Sequence, residues 1–301
     1  MAERAAMFQE HYLLPSTRDG AIWPLARDYL KPRHFHAQLE LLLLLRGRAE
    51  VRVGRSLHVV HRGQLVWLLP GVEHAVTGLS SDCELRVIQV EPDLCVSAAR
   101  ELNGAGVAEA TPGAGSFSGW AEQLGRLTCG RPVVELSQRD RDHLLEQCDA
   151  TCADSGMTPG EVPGRLRRAL SVAWSATLGD HDSRRPLSLV ELAACLLFED
   201  PSLERSAVCR ALDVSEGYLS RRFSQELGIS FSEQRARLRI ARFVTHVNRD
   251  RQNYLAAALS AGFGSYSQLH RVFSRIVRVS PKNYFSAGLR NVRANCTQLD
   301  A

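Results

Sequence analysis

Ser215-Glu216-Gly217-Tyr218-Leu219-Ser220-Arg221-Arg222-Phe223 and Ser265-Tyr266-Ser267-Gln268-Leu269-His270-Arg271-Val272-Phe273 are two copies of one pattern, set fifty residues apart. Both continue to a β-branched residue and a serine, Ile229-Ser230 and Val279-Ser280, so six positions match at a single offset. That regularity indicates an internal duplication. In each copy a serine suited to capping opens a helix whose Leu/Phe spacing of four makes one buried face. The first copy turns Leu219, Phe223 and Leu227 inward and leaves Ser220, Arg221, Arg222 and Gln225 outside. The second turns Leu269, Val272, Phe273 and Ile276 inward, with Gln268, Arg271, Arg275 and Arg278 as an outer stripe. A guanidinium stripe pairs with phosphates and forks onto guanine, and a glutamine amide reads adenine.

Each copy follows a short helical stretch and a tight turn, Ala211-Leu212-Asp213-Val214 and Ala261-Gly262-Phe263-Gly264. This is the order of a helix-turn-helix, whose second helix enters the major groove. The spacing predicts helices near 188–198, 202–212, 215–226, 231–248, 252–261, 265–276 and 281–288. Ser188-x-x-Glu191 and Ser230-x-x-Glu233 have the form of capping boxes. The helix between the copies, about 18 residues, would span about 27 Å. With its flanking turns it would set the reading helices about 34 Å apart, one DNA turn. Charge agrees: from Arg184 onward the chain is net +8 and before it net −4, so one half suits a polyanion.

Gly262-Phe263-x-Ser265-x-Ser267-x-Leu269-x-Arg271-x-Phe273, closing with Ser280-Pro281-x-x-Tyr284, resembles the signature of the AraC/XylS family of bacterial transcription regulators. The resemblance covers residues 186–290 and implies a double helix-turn-helix domain, joined in most members to a sensing and dimerising domain. It implies base-facing positions at Gly217, Ser220 and Arg221 in the first reading helix, and at Tyr266, Ser267, Gln268, His270 and Arg271 in the second. Asp213 and Arg278 stand where the family has turn glycines, and Gly217 offers no side chain to a base. The second helix, with Arg275 beside it, is therefore expected to carry more of the direct readout, with Tyr218 or Arg222 able to substitute in the first.

The first third of the chain has a different texture. From Ile22 to Val90, short apolar alternations broken by Gly54, Gly63 and Pro70-Gly71 predict many short strands, hence a sandwich or barrel. His34-x-His36-x3-Glu40-x6-Gly47 followed by Gly63…Pro70-Gly71-x-x-His74 resembles the two motifs of cupin barrels. On an unbroken strand residues 34, 36 and 40 share a face, and His74 would complete a possible divalent-metal site. Without metal, the same residues would line an effector pocket, with Trp23 and Trp67 as candidate aromatics or as core.

The expected architecture is α+β and multidomain: an N-terminal cupin-like β-barrel with dimerisation helices, and a C-terminal all-α double helix-turn-helix domain. Boundaries fall at 1–110 for effector sensing, 111–183 for helical dimerisation and linker, 184–290 for DNA binding and 291–301 for a tail. Within them, 103–119 reads as loop, and 120–127, 137–152 and 165–178 read as helices, the last with Leu166, Leu170, Trp174 and Leu178 in line. The eight cysteines have no framework spacing and read as reduced thiols, with Cys148 and Cys152 one turn apart. No apolar run reaches membrane-spanning length, and no signal-peptide core opens the chain; a cytoplasmic location is expected. The function so read is a sequence-specific DNA-binding transcription regulator responding to a small-molecule effector. Its partners would be double-stranded promoter DNA, a second copy of the chain and, for an activator, RNA polymerase. It is expected not to be an enzyme. The alternative is a metal-dependent cupin enzyme carrying a DNA-binding domain, kept open by the His/His/Glu/His set.

Overall fold

The computed structural model describes residues 8–9, 20–25, 33–92, 94–95, 124–127, 131–149, 161–182, 186–248 and 252–286. The expected 103–119 loop, the 291–301 tail and Cys129, Cys152 and Cys296 lie outside the described residues. Strands β1 (Phe8–Gln9), β3 (His34–Phe35), β8 (His74–Leu79), β5 (Arg48–Val53) and β6 (Ser56–His61) form one sheet in that order. The second sheet runs β10 (Val133–Glu135), β7 (Gln64–Leu68), β4 (Leu39–Arg46), β9 (Glu84–Val90) and β2 (Gly20–Pro24). Strand β10 pairs antiparallel with β7, Val133 opposite Val66. The region expected to hold dimerisation helices and linker thus also supplies an edge strand, which falls between the helices read at 120–127 and 137–152.

The second sheet is buried on both faces. Leu42, Leu44, Val66, Leu68, Leu85 and Val87 meet Ala49, Val51 and Val60 of the first sheet between the layers. On the other face Leu39, Leu41, Leu43, Leu65, Trp67 and Ile88 pack against helices. These are α1 (Gln138–Asp149) and α2 (Val162–Asp182), whose Leu144, Leu166, Leu170 and Trp174 enter the same core. Helix α2 starts earlier than its apolar spacing predicts, at Val162, taking Pro163 and Gly164 into its first turn. Proline is tolerated there because first-turn N–H groups have no helical partner.

Six helices follow: α3 (Leu189–Glu199), α4 (Arg205–Ala211), α5 (Glu216–Leu227), α6 (Phe231–Asn248), α7 (Tyr254–Ser260) and α8 (Tyr266–Val277). Residues 281–286 are also helical. The Ser188 box forms in full: Ser188 Oγ accepts from the Glu191 N–H, and the Ser188 N–H donates to Glu191 at 2.8 Å. At α6 the Ser230 hydroxyl accepts from the Glu233 N–H at 3.2 Å, while the Glu233 carboxylate holds Arg237 at 2.6 Å. The helical half divides between two cores. The first motif joins the core of the sheet and α1–α2 through Val208, Leu219, Phe223 and Phe231. The second packs Ala257, Leu269, Phe273, Val277 and Tyr284 against Ile240 and Phe243 of α6.

Both reading helices end in the same left-handed cap, Gly228 at φ 70° and Arg278 at φ 68°, with the cap N–H bonded to the serine four residues back. Left-handed backbone costs a side-chain-bearing residue about 1–2 kcal/mol, while glycine loses about 0.5–1 kcal/mol more on folding. Arg278→Gly should therefore raise the unfolding free energy by about 0.5–1 kcal/mol, measured as a higher urea midpoint at constant slope. Phe273→Ala, at a fully buried position facing Phe243 and Tyr284, should lower it by about 3–5 kcal/mol in the same titration.

Candidate nucleic-acid interface and sensor site

Helices α5 and α8 are built alike. Ser215 Oγ accepts from the Tyr218 N–H and Ser265 Oγ from the Gln268 N–H. Leu219 and Phe223, and Leu269 and Phe273, are buried beneath them. Arg221 and Arg222 on α5 are exposed, as are Ser267, His270, Arg271 and Arg275 on α8; Ser220, Tyr266 and Gln268 are half-buried. Within the copies the turns differ by one residue. Asp213, at φ 52°, precedes the α5 cap by two positions, whereas Gly262, at φ 86°, precedes the α8 cap by three. The matching bonds Val214 N–H to Cys209 O and Phe263 N–H to Ala258 O fix this alignment. Gly264 is thus the extra residue, and its N–H donates to Gln268 Oε1 at 2.8 Å.

Several sequence-expected readers already have partners on the protein. Gln268 closes its own helix N-terminus, Tyr266 stacks on Tyr254 at 6.1 Å, and Arg222 pairs with Glu226 at 2.5 Å. The overall basic charge also divides in a way that composition does not reveal. Arg235 binds Glu204 and the Ser202 carbonyl, Arg242 donates to the Phe198 and Glu199 carbonyls at 3.1 Å, and Arg239 bonds the Gly262 carbonyl. Burial, then the neighbouring Arg235, lowers the Arg239 pKa to about 10. Three arginines of α6 therefore tie the helical domain together, and a fourth, Arg237, meets the barrel.

In that barrel His34, His36 and His74 converge. His34 and His74 are paired residues of neighbouring strands, with ring centroids 4.4 Å apart, and His36 lies 4.9 Å from His74. All three are buried, and their candidate ligand nitrogens lie within 4.8 Å of one another. Strand parity is not what brings the group together. No strand runs from 34 to 40, because the chain leaves the first sheet after Phe35 and enters the second at Leu39. Glu40 reaches the cluster from the second sheet, its Oε2 3.2 Å from His36 Nε2. His36 Nδ1 lies 3.1 Å from the Gln38 carbonyl and His74 Nδ1 2.9 Å from the Val72 carbonyl. A carbonyl only accepts, so both Nδ1 atoms carry a proton; a neutral ring then presents its Nε2 lone pair, whereas a charged His36 donates from Nε2 to Glu40. Burial, followed by the other two histidines, pushes the His74 pKa well below its usual value. Burial alone would raise the Glu40 pKa, but the His36 hydrogen bond and the three histidine charges outweigh it and hold the value at about 2. In their neutral forms three such imidazoles, two of them with backbone-anchored Nδ1 groups, beside a carboxylate fit a divalent cation such as zinc.

Trp67 is not part of this group. It faces the helical layer, stacked on Trp174 at 6.3 Å, with Nε1 donating to Thr177 Oγ1 at 2.9 Å. Trp23 does pack against the core between the sheets. Missed from sequence were Phe35, Glu73 and Arg237. Phe35 belongs to the core of the second helix-turn-helix, and Glu73 pairs with Arg237 of α6 at 3.3 Å and with Arg33. For Phe35 and Glu73 adjacency to the histidines was the available signal, but nothing local shows which domain such neighbours touch. The Cys148–Cys152 pairing lies outside the described residues, whereas Cys83, Cys95, Cys148, Cys195 and Cys209 are buried.

Comparisons with known proteins agree with both halves. The AraC-like ligand binding domain matches residues 20–136 and a helix-turn-helix domain matches 208–287. Unsaturated fatty acid-bound ToxT from Vibrio cholerae superposes with a TM-score of 0.51 at 15% identity, covering 90% of this chain and 96% of that one. A second ToxT structure from Vibrio cholerae gives 0.49 at 15% identity over 88% and 96%. The AraC-like transcriptional activator CuxR gives 0.35 at 16% identity over 70% and 69%. No curated protein matches the chain. Among the described residues no helix is long and apolar enough to cross a membrane. A duplicated, serine-capped helix-turn-helix behind a ligand-binding barrel, matched in both parts by their family models, makes this chain a DNA-binding regulator of the AraC family.

Proposed function

We propose that this regulator works in the cytoplasm as a homodimer on promoter DNA, gripping each half-site with α5 and α8 in successive major grooves. The observation that carries this reading is the pair of matched helices, each with a buried Leu/Phe side and an exposed arginine side. Direct base contacts fall to Ser220, Arg221, Tyr266, Ser267, Gln268, His270 and Arg271, with Arg222 and Arg275 on phosphates or adjacent bases. Gln268 and Tyr266 must exchange protein partners for bases, so His270 and Arg271 lead the readout. Helices α1 and α2 are assigned to dimerisation. In an activator, the assembled dimer would also contact RNA polymerase.

The barrel senses rather than catalyses in this proposal, with an organic small molecule held near Trp23 and the histidine cluster. A second reading is favoured by the three buried imidazoles: His34, His36, His74 and Glu40 hold a divalent cation. That cation would supply a fixed positive charge and cross-link strands of both sheets.

Footprinting on duplexes selected from randomised sequence tests the DNA reading; protection on one helical face over about two turns per half-site is expected. Arg271→Ala should weaken specific binding by about 1–3 kcal/mol and relax discrimination at one base position, whereas Arg222→Ala should weaken all duplexes alike and flatten the salt dependence. An unchanged footprint and affinity for Arg271→Ala would remove that assignment. For the cation, metal-free protein should take up one equivalent of Zn2+ in a chelator competition, and the combined His34, His36 and His74 alanine variant should take up none. Equal uptake by both would exclude the cluster.

A further inference from the structure

His34 and His36 flank Phe35, and His74 follows Glu73. Neighbouring residues of an extended chain project to opposite sides, so each ligand segment has an outer side as well as an inner one. On the outer side both segments meet the same helix. Phe35 is fully buried in the core that holds Ile240 and Phe243 of α6, and the Arg237 guanidinium lies 5.8 Å from the Phe35 ring centroid. Arg237, itself 4% exposed, reaches Glu73 Oε2 at 3.3 Å.

The loop between them closes the arrangement. Gly71 donates its N–H to the His36 carbonyl at 2.9 Å. It is left-handed at φ 71°, and a Cβ there would stand 3.0 Å from the Leu238 side chain of α6. Gln234 of the same helix donates to the Pro70 carbonyl at 3.4 Å. One face of α6 is thus fitted to the outer surface of the histidine cluster, and α6 joins the two DNA-reading motifs.

We propose that divalent-cation occupancy of His34, His36, His74 and Glu40 is transmitted to the DNA-binding half through Phe35, Glu73 and Arg237 acting on α6; this rests on the cation reading above. Zinc–imidazole bonds of about 2.0–2.1 Å bring the ligand nitrogens of one ion to about 3.3 Å from each other. The nitrogens here lie within 4.8 Å of one another, and wherever a pair stands wider than the loaded spacing, loading draws β3 and the start of β8 inward together. Phe35 and Glu73 ride on those segments. Tightening them clamps Arg237 and stiffens α6, and a stiffer α6 holds the two reading helices at one separation. Close-packed contacts transmit such shifts instead of absorbing them.

The experiment uses the full chain and Zn2+ as the probe, reading amide hydrogen exchange in peptides covering residues 231–248 with Zn2+ and with chelator. Zn2+ should slow exchange there at least fivefold in the natural protein. The Glu73→Gln/Arg237→Met double variant should bind one equivalent of Zn2+ yet lose that slowing. Zinc uptake without altered exchange in α6 of the natural protein overturns the transmission and leaves the cation site standing. Absence of zinc uptake overturns the cation site, and this inference with it. Both outcomes are read on the natural protein, so they hold even if the double variant folds poorly. A folded double variant that keeps the slowing also overturns the named route.

Discussion

Arg237 sits almost without solvent between a barrel carboxylate, Glu73, a carboxylate one turn back on its own helix, Glu233, and the face of Phe35. A guanidinium so enclosed is tolerable only while those partners stay in place, because a buried charge stripped of its partners costs several kcal/mol. The position of α6 follows from that constraint. The helix cannot lift from the barrel without exposing Phe35 and separating Arg237 from Glu73. Since Phe231 and Leu238 join one core and Ile240 and Phe243 the other, fixing α6 fixes both reading motifs.

This explains why the C-terminal domain is so rich in arginine without being uniformly a DNA surface. The α6 arginines run along a helix that must dock on three neighbours, and each ends on a carbonyl or carboxylate of an adjoining element. Arg221, Arg271 and Arg275 project from α5 and α8 into solvent. The same residue type therefore serves cohesion in one helix and recognition in two others, and only the neighbours distinguish them. The barrel shows a similar division: the second sheet's inner face packs on the first sheet, and its outer face carries the helices that lead into the first motif.

The helical half was largely readable because its signals are local. A serine cap, a Leu/Phe spacing of four and a following left-handed residue act within a dozen positions, and α6 runs over the predicted residues 231–248. The repeat itself identified the pair of reading helices, though the extra Gly264 in the second turn escapes a fixed-offset comparison. The barrel was readable as strands but less so as a site. Alternation assigns a residue to a face, yet it does not say what that face meets when both sides are buried. Alternation alone therefore cannot tell a pocket aromatic from Trp67, which belongs with Trp174 on the helical side.

Sequence alone determined that His34, His36, Glu40 and His74 are unusual together, and that two helices of one design lie fifty residues apart. Those conclusions rest on residue type and spacing along the chain, which need no folding to be true. Tertiary structure decided that the histidines meet through the His34–His74 strand pairing instead of along one strand. It also decided that four of the basic residues hold the protein together and that the sensor's outer surface bears on the helix between the DNA-reading motifs. Each of these depends on contacts between residues far apart in the chain, between Glu73 and Arg237 above all. Such contacts come from how sheets and helices pack, and no local pattern encodes them.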